Sequence, residues 1–178
     1  GAAHPSRWTL ANGVEDLGTE GGGTCENCGN GRANDASYDG SVIVGHGRSA
    51  AGTEAFRWTA ASGMTGLGDL PGGTYSSMAL DVSANGAVIV GHGTTDAGSQ
   101  AFVWDALHGM RNLQDLLTAA GVELSGWTLT SATGVSASGA VIVGYGSNPE
   151  GATEAWRARL PGDLLAPAAG DFDRDGDV

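Results

Sequence analysis

The chain has 178 residues, of which 32 are Gly, and its 20 acidic and 8 basic residues give a formal net charge of −12. This length fits one domain with a sizeable core, and so much Gly disfavours long helices. All the basic residues are Arg, and an acidic chain without Lys or a basic patch argues against nucleic acid as a partner. No stretch reaches the roughly 20 apolar residues that a membrane-spanning helix needs.

Four kinds of segment recur in a fixed order along the chain. The first is an aromatic strand, the second an element whose apolar residues lie three apart, the third a short polar element, and the fourth a Gly-flanked Val-Ile-Val phrase. The aromatic strand occurs at 7–9, 55–59, 101–104 and 155–158, and the second element at 13–18, 63–70 and 109–116. The third element occurs at 33–37, 79–83 and 132–136, and the phrase at 40–47, 86–93 and 139–146. A period of about 50 residues indicates a repeat architecture.

The local signals within each repeat predict short antiparallel strands. Asp39-Gly40 and Asn85-Gly86 precede β-branched runs, which is typical of a hairpin with a type I′ turn. The Val-Ile-Val runs are apolar on both faces, as in buried strands. The spacing in the second element suggests a bulge or a bend. We expect about four strands per repeat and one short helix over 113–120.

The chain is predicted to end in a linker and an acidic tail. Pro161-Gly162 breaks the last strand, and residues 161–170 have a linker composition. Asp171, Asp173, Asp175 and Asp177, with Gly176 at the sharp turn, match the first half of a calcium loop. The loop lacks its usual twelfth-position acid, so it is expected to bind calcium weakly or not at all. The alternatives are a vestige of a calcium module and a solvated acidic tail.

Cys25 and Cys28 are the only cysteines in the sequence. A structural zinc site needs four ligands, and a thioredoxin-like redox pair belongs beside a βαβ unit. The Gly-rich surroundings favour a local disulfide that staples an inserted loop, with metal binding and redox chemistry as alternatives. A disulfide implies an oxidising compartment.

Aromatic and imidazole side chains recur with the repeat. His46, His92 and Tyr145 occupy one position, and a catalytic His is rarely duplicated and then exchanged for Tyr. Trp8, Trp58 and Trp104 also recur, so they are expected to pack in the core. Trp127 lies outside the pattern and is the better candidate for contact with a sugar or a protein partner.

Two resemblances follow from these motifs. Residues 6–158, with Ala-Phe-Arg-Trp-Thr, Gly-Met-Thr-Gly-Leu-Gly-Asp-Leu and the Val-Ile-Val-Gly phrase, resemble the HAF family of bacterial extracellular repeats. The resemblance implies a secreted, all-β, propeller-like protein without established catalytic residues. The acidic tail resembles the start of a dockerin-type calcium repeat.

The repeat count constrains the fold and the domain organisation. Three units are few for a propeller, so a β-trefoil-like barrel is the alternative fold. We assign residues 1–160 to one repeat domain with units at about 6–54, 55–100 and 101–158, followed by a linker at 161–170 and a tail at 171–178.

These observations predict a non-enzymatic structural or adhesive protein of the bacterial cell surface or exterior. Exposed strand edges favour self-association into a filament or a larger assembly. The alternative is a carbohydrate-binding module tethered through the dockerin-like tail, with calcium as the only cofactor suggested. A hydrolase that uses the repeat loops as a cleft is the third hypothesis.

Overall fold

The structure, a computed structural model, describes residues 5–11, 13–17, 31–161 and 164–165. The described part is all-β, as predicted from the sequence. The exceptions are one α-helix and a short helical turn at Leu164. The strands are β1 (Ser6–Thr9), β2 (Gly13–Asp16), β3 (Arg32–Ala36), β4 (Val42–Arg48), β5 (Thr53–Thr59), β6 (Gly63–Gly66), β7 (Ser77–Val82), β8 (Val88–Thr95), β9 (Gly98–Asp105), β10 (Gly109–Asn112), β11 (Thr128–Val135), β12 (Val141–Ser147) and β13 (Thr153–Arg159). The helix α1 spans Leu113–Ala119, and Asn112 caps its N-terminus by accepting from the N–H groups of residues 114 and 115.

Within the described residues, the strands form four antiparallel sheets in chain order. The first sheet is β1–β2, the second is β3-β4-β5-β6, the third is β7-β8-β9-β10, and the fourth is β11-β12-β13. Each sheet except the first begins with the third element of the sequence pattern, so the sheets group the strands in a different phase from the predicted units. Among the described residues the sheets form no closed barrel, and no strand pair joins β1 to β13.

The Val-Ile-Val strands form the buried centre of the structure. Val44, Ile89, Val90 and Ile142 are fully buried. The residue after Val42-Ile43-Val44 is glycine, Gly45, because a Cβ there would collide with the Arg32 carbonyl of the neighbouring strand. The same collision would occur at the equivalent glycines 91 and 144.

The irregularities lie elsewhere than the sequence indicated. The second element makes a regular four-residue strand in β6, and Leu67, the apolar residue three positions after Met64, lies beyond the strand end. The bulges occur instead where the third element pairs with the phrase, between Ala33 and Asp35 and between Ala79 and Asp81. A bulge redirects the side chains on its strand, and here it lies beside the aspartates that contact the next sheet.

The predicted type I′ turns are wrong in their register. The N–H of Gly40 donates to the carbonyl of Ser37, 2.8 Å away, so Tyr38 and Asp39 are the central turn residues. Gly40 takes the next position, with φ of 68°. The Asp39 carboxylate accepts from Ser41 N–H at 2.9 Å, and this bond stabilises a wider turn than the two-residue form.

Three apolar clusters separate successive sheets. Each cluster joins the face of one sheet to the facing side of the next. The first cluster contains Leu17, Ile43, Phe56 and Trp58; the second contains Val42, Val44, Val82, Ile89 and Phe102; the third contains Val88, Val90, Leu113, Leu129 and Ile142. The sheets therefore stack in chain order.

The expectation that all three repeated tryptophans lie in the core is wrong for one of them. Trp58 is buried and Trp104 is partly buried against the second cluster. Trp8 is 65% exposed. The pairing register explains the difference, because Trp8 opposite Val14 is the same cross-strand pair as Trp58 opposite Met64, without a preceding sheet in the described residues to cover it.

Candidate functional site

The contacts between successive sheets repeat at the hairpin turns. Tyr38 N–H donates to the Ala84 carbonyl at 3.0 Å, and Ala84 N–H donates to the Ala137 carbonyl at 3.2 Å. Each turn thus donates one backbone hydrogen bond to the equivalent turn of the following sheet. The repeat of this bond shows that the second and third sheets meet at their turns in the same way as the third and fourth do.

A second repeated contact involves carboxylates beside the bulges. The Asp35 side chain accepts from Val82 N–H at 3.0 Å, and the Asp81 side chain accepts from Val135 N–H at 2.6 Å. Burial, together with the hydrogen bond and charge of Asp35, raises the pKa of Asp81 to about 6, although the backbone N–H groups of Val82 and Val135 act to lower it. The equivalent residue of the fourth sheet is Gly134, which has no side chain to contact a further sheet.

A third repeated feature is the histidine that follows the Val-Ile-Val-Gly run, His46 in β4 and His92 in β8. Asn34 Nδ2 lies 3.2 Å from His46 Nδ1, and Ser131 Oγ lies 3.4 Å from His92 Nδ1. Burial lowers the pKa of both rings, because desolvation disfavours the charged form. A neutral polar ring between packed sheets fits the structural interpretation of these histidines, and the fourth sheet places Tyr145 at this position.

One side of the fourth sheet lacks a neighbour within the described residues. We define the outer face of the fourth sheet as Val143, Tyr145, Ala155 and Arg157. Val143 is 42% exposed and Tyr145 is 45% exposed, whereas the equivalent Val44 and Val90 are fully buried. The fourth sheet thus exposes to solvent the kind of apolar face that the second and third sheets bury.

The opposite end of the stack also exposes apolar side chains. We define the outer face of the first sheet as Trp8 and Val14, which are 65% and 75% exposed. The other side of this sheet packs on the second sheet, where the Arg7 guanidinium lies 4.4 Å from the centre of the Trp58 ring. Arg7 also donates to Glu15 Oε2 at 2.7 Å, which orients the guanidinium over that ring.

The described residues contain one buried charged cluster, around Asp105 at the β9–β10 turn. This fully buried carboxylate accepts from His108 Nδ1 at 2.9 Å and from Arg111 at 2.6 Å. Burial would raise the pKa of Asp105, but these partners and the Leu107 N–H outweigh it and hold that pKa below its ordinary value. Arg111 also donates to the Leu164 carbonyl at 2.8 Å. The cluster closes the turn and fastens the segment that follows β13, which is a structural role.

The loop between β6 and β7 forms an open depression of about 320 Å³, lined by Asp69, Leu70, Pro71, Gly72, Gly73 and Tyr75. The oxygens of Asp69 accept from Leu70 N–H at 2.9 Å and from Ser76 N–H at 2.6 Å. This carboxylate is therefore already used to shape the loop. In the described residues, no three His, Cys, Asp or Glu side chains are grouped so that they could hold a metal ion.

The residues predicted from sequence fall in different places. Asp171, Asp173, Asp175, Asp177, Cys25 and Cys28 lie outside the described residues, so the calcium loop and the disulfide stay predictions. Trp127 is half-buried beside α1, where its carbonyl accepts from Gln114 Nε2 at 2.9 Å. Its proposed ligand contact also stays a prediction. No helix in the described ranges is long and apolar enough to cross a bilayer.

Sequence reasoning missed the two outer faces. The sequence gives no signal for them, because Val143 and Arg157 are opposite one another just as Val44 and Arg57 are, so the repeat pattern does not distinguish the exposed copy from the buried one. Comparisons with known proteins give no relative: no family model, curated protein or solved structure matches the chain. The resemblance to HAF repeats therefore stays a prediction.

Proposed function

We propose that this chain is a secreted, non-enzymatic structural or adhesive repeat protein that associates with itself through the open ends of a propeller-like stack of sheets. The observation that carries the proposal is the exposure of the outer face of the fourth sheet. Val143 is 42% exposed, while the two valines at the same position in the second and third sheets have no exposed surface.

The composition of this face supports a protein partner. Tyr145 and Arg157 belong to the residue types enriched at protein interfaces, and Val143 and Ala155 give the face an apolar centre. The two internal copies of this face are each covered by the next sheet through its first strand, β7 or β11. A sheet of the same kind from a second copy of the chain could therefore pack on the outer face of the fourth sheet.

The proposal is tested by the oligomeric state of the purified chain over a range of concentrations, measured by sedimentation velocity. Wild type is expected to gain mass as concentration rises. Val143→Asp should weaken association at least about tenfold, because a carboxylate would be desolvated in the interface. Val122→Asp is the matched control, since Val122 is equally exposed at 43% but lies in the loop after α1.

Val143 already contacts water, so the aspartate variant should fold, and far-UV circular dichroism checks this. Wild type that stays monomeric at every concentration would refute the proposal. Equal weakening by the two aspartate variants would show that the outer face of the fourth sheet has no special part in association.

A further inference from the structure

We infer that the assembly is polar, with the outer face of the fourth sheet of one copy stacking on the outer face of the first sheet of the next copy, so that Arg157 lies over the Trp8 ring of its neighbour. This inference rests on the proposed self-association and identifies the partner surface. It follows from the internal Arg–Trp contact, from the register, and from the charges at the two ends.

The internal contact provides the template. Between the first and second sheets, Arg7 on β1 lies 4.4 Å from the centre of the Trp58 ring on β5. Trp58 is only 5% exposed. A guanidinium over the face of an indole is attracted by the ring's electron distribution, and more strongly when water is excluded.

The register assigns Arg157 to the arginine side of this contact. Arg57 pairs with Val44 in the second sheet, and Arg157 pairs with Val143 in the fourth. Both arginines lie on the third strand of their sheets, one residue before the position of Trp58. Arg57 is half-buried in the stack, whereas Arg157 is exposed.

The register also assigns Trp8 to the tryptophan side. Trp8 pairs with Val14 in the first sheet as Trp58 pairs with Met64 in the second. Trp58 and Met64 pack in the cluster that the first sheet closes through Leu17. Trp8 and Val14 present the same pair to solvent, so one end of the stack carries an uncovered arginine and the other an uncovered tryptophan.

Charge favours the same orientation. Arg157 and Arg159 lie on one face of β13, because alternate residues of a strand share a face, and the chain has only 8 basic residues against 20 acidic ones. On the first sheet, Asp16 lies on the same side as Trp8 and Val14, because Asp16 pairs with Ser6 in the register that pairs Trp8 with Val14. Two fourth sheets facing each other would bring like charges together. Head-to-tail stacking avoids this and repeats without closing, which produces a filament.

The test uses the whole 178-residue chain with one end of the stack blocked. Trp8→Asp blocks the first-sheet end and Arg157→Glu blocks the fourth-sheet end. Each variant alone is expected to be monomeric where wild type forms larger species, with a dissociation constant raised at least about tenfold. Mixed at equal concentration, the two variants should form a dimer and nothing larger, because each still has one intact end.

Two control variants match the substitutions. Leu107→Asp changes a side chain that is 69% exposed on the β9–β10 turn, and Arg48→Glu reverses an exposed charge in the second sheet. Both should associate like wild type. Val14→Asp is a second way to block the first-sheet end if Trp8→Asp fails to fold.

The outcomes separate the two proposals. Wild type that is monomeric throughout would refute self-association itself. Wild type that associates while Trp8→Asp and Val14→Asp associate equally well would refute the polar arrangement alone. The same holds if the mixture of blocked variants gives no dimer.

Discussion

The turn glycines Gly40, Gly86 and Gly139 allow the packing between sheets to be measured separately from backbone strain. They share a left-handed backbone, with φ of 68°, 71° and 80°. A Cβ at Gly86 would lie 2.5 Å from Val42 Cγ2, and a Cβ at Gly139 would lie 2.6 Å from Val88 Cγ2. A Cβ at Gly40 would have no heavy atom within 4 Å. Alanine therefore strains all three turns but pushes on a neighbouring sheet in only two.

The magnitudes follow from these neighbours. An L-residue in the left-handed region costs about 1–2 kcal/mol, which is the whole effect expected for Gly40→Ala. Overpacking a buried contact adds about 1–3 kcal/mol. Val42 and Val88 are 4% and 3% exposed, so neither can rotate into solvent to relieve the collision. We expect Gly86→Ala to lower the free energy of unfolding by about 2–5 kcal/mol. Gly139→Ala should lower it by the same amount.

The assay is urea denaturation followed by tryptophan fluorescence and far-UV circular dichroism. A double variant sharpens it. Val42→Ala alone should cost about 2 kcal/mol, from two methyl groups and the cavity they leave. Combined with Gly86→Ala, it removes the closest contact and leaves Val42 Cβ at 3.0 Å, so the double variant should be more stable than the summed losses by about 1–2 kcal/mol. Equal losses for the three single glycine variants, together with additivity in the double variant, would refute the stacking contact.

Three further substitutions test other contacts between the elements. The raised pKa of Asp81, about 6, means that wild type loses stability as pH rises from about 4 to about 6. The free energy of unfolding, measured by urea titration, should fall over this pH range in wild type but not, through this residue, in Asp81→Asn. The same dependence on pH in both proteins would contradict the prediction. The pKa of His92 is lowered, so the stability that its neutral ring contributes is complete above about pH 6.5 and is lost as pH falls. In thermal melts, His92→Gln should therefore lose less stability than wild type on acidification. An equal loss in both proteins would contradict this prediction. Arg111→Met removes a charged donor from buried Asp105 and should cost about 2 kcal/mol, and an unchanged melting temperature would show that the other donors suffice.

The sequence predicts the elements better than it predicts their arrangement. The apolar phrases are long enough to be recognised as buried strands, and Leu113–Ala119 is helical as expected because Asn112 caps a run of good helix formers. The all-β class follows from these local signals. The stacking order does not, since it depends on which face of each strand meets the next sheet.

The two outer faces could not be predicted, because the local sequence around an exposed residue of the repeat is nearly the same as that around its buried equivalent. Trp8 and Trp58 have nearly the same neighbours in sequence, yet one is exposed and the other buried, because only Trp58 has a preceding sheet in the described residues to cover it. Asp35 and Asp81 recur with the repeat, but the bulges beside them depend on the pairing of neighbouring strands. The alignment of the third element places both aspartates at the same position of the repeat, but it does not predict their partners.

The fourth sheet departs from the others in a way that separates an interface from an internal contact. It retains the apolar valine at Val143, but Gly134 replaces the aspartate that accepts a backbone N–H from the next sheet. An aspartate there would lose its hydration on association and would need an N–H donor at one fixed position of the partner, whereas Val143 and Tyr145 need no such donor and Arg157 has the Trp8 ring of the proposed neighbour to lie over. Association through this face is therefore expected to be reversible and weakened by salt, unlike the packing of the second sheet on the third.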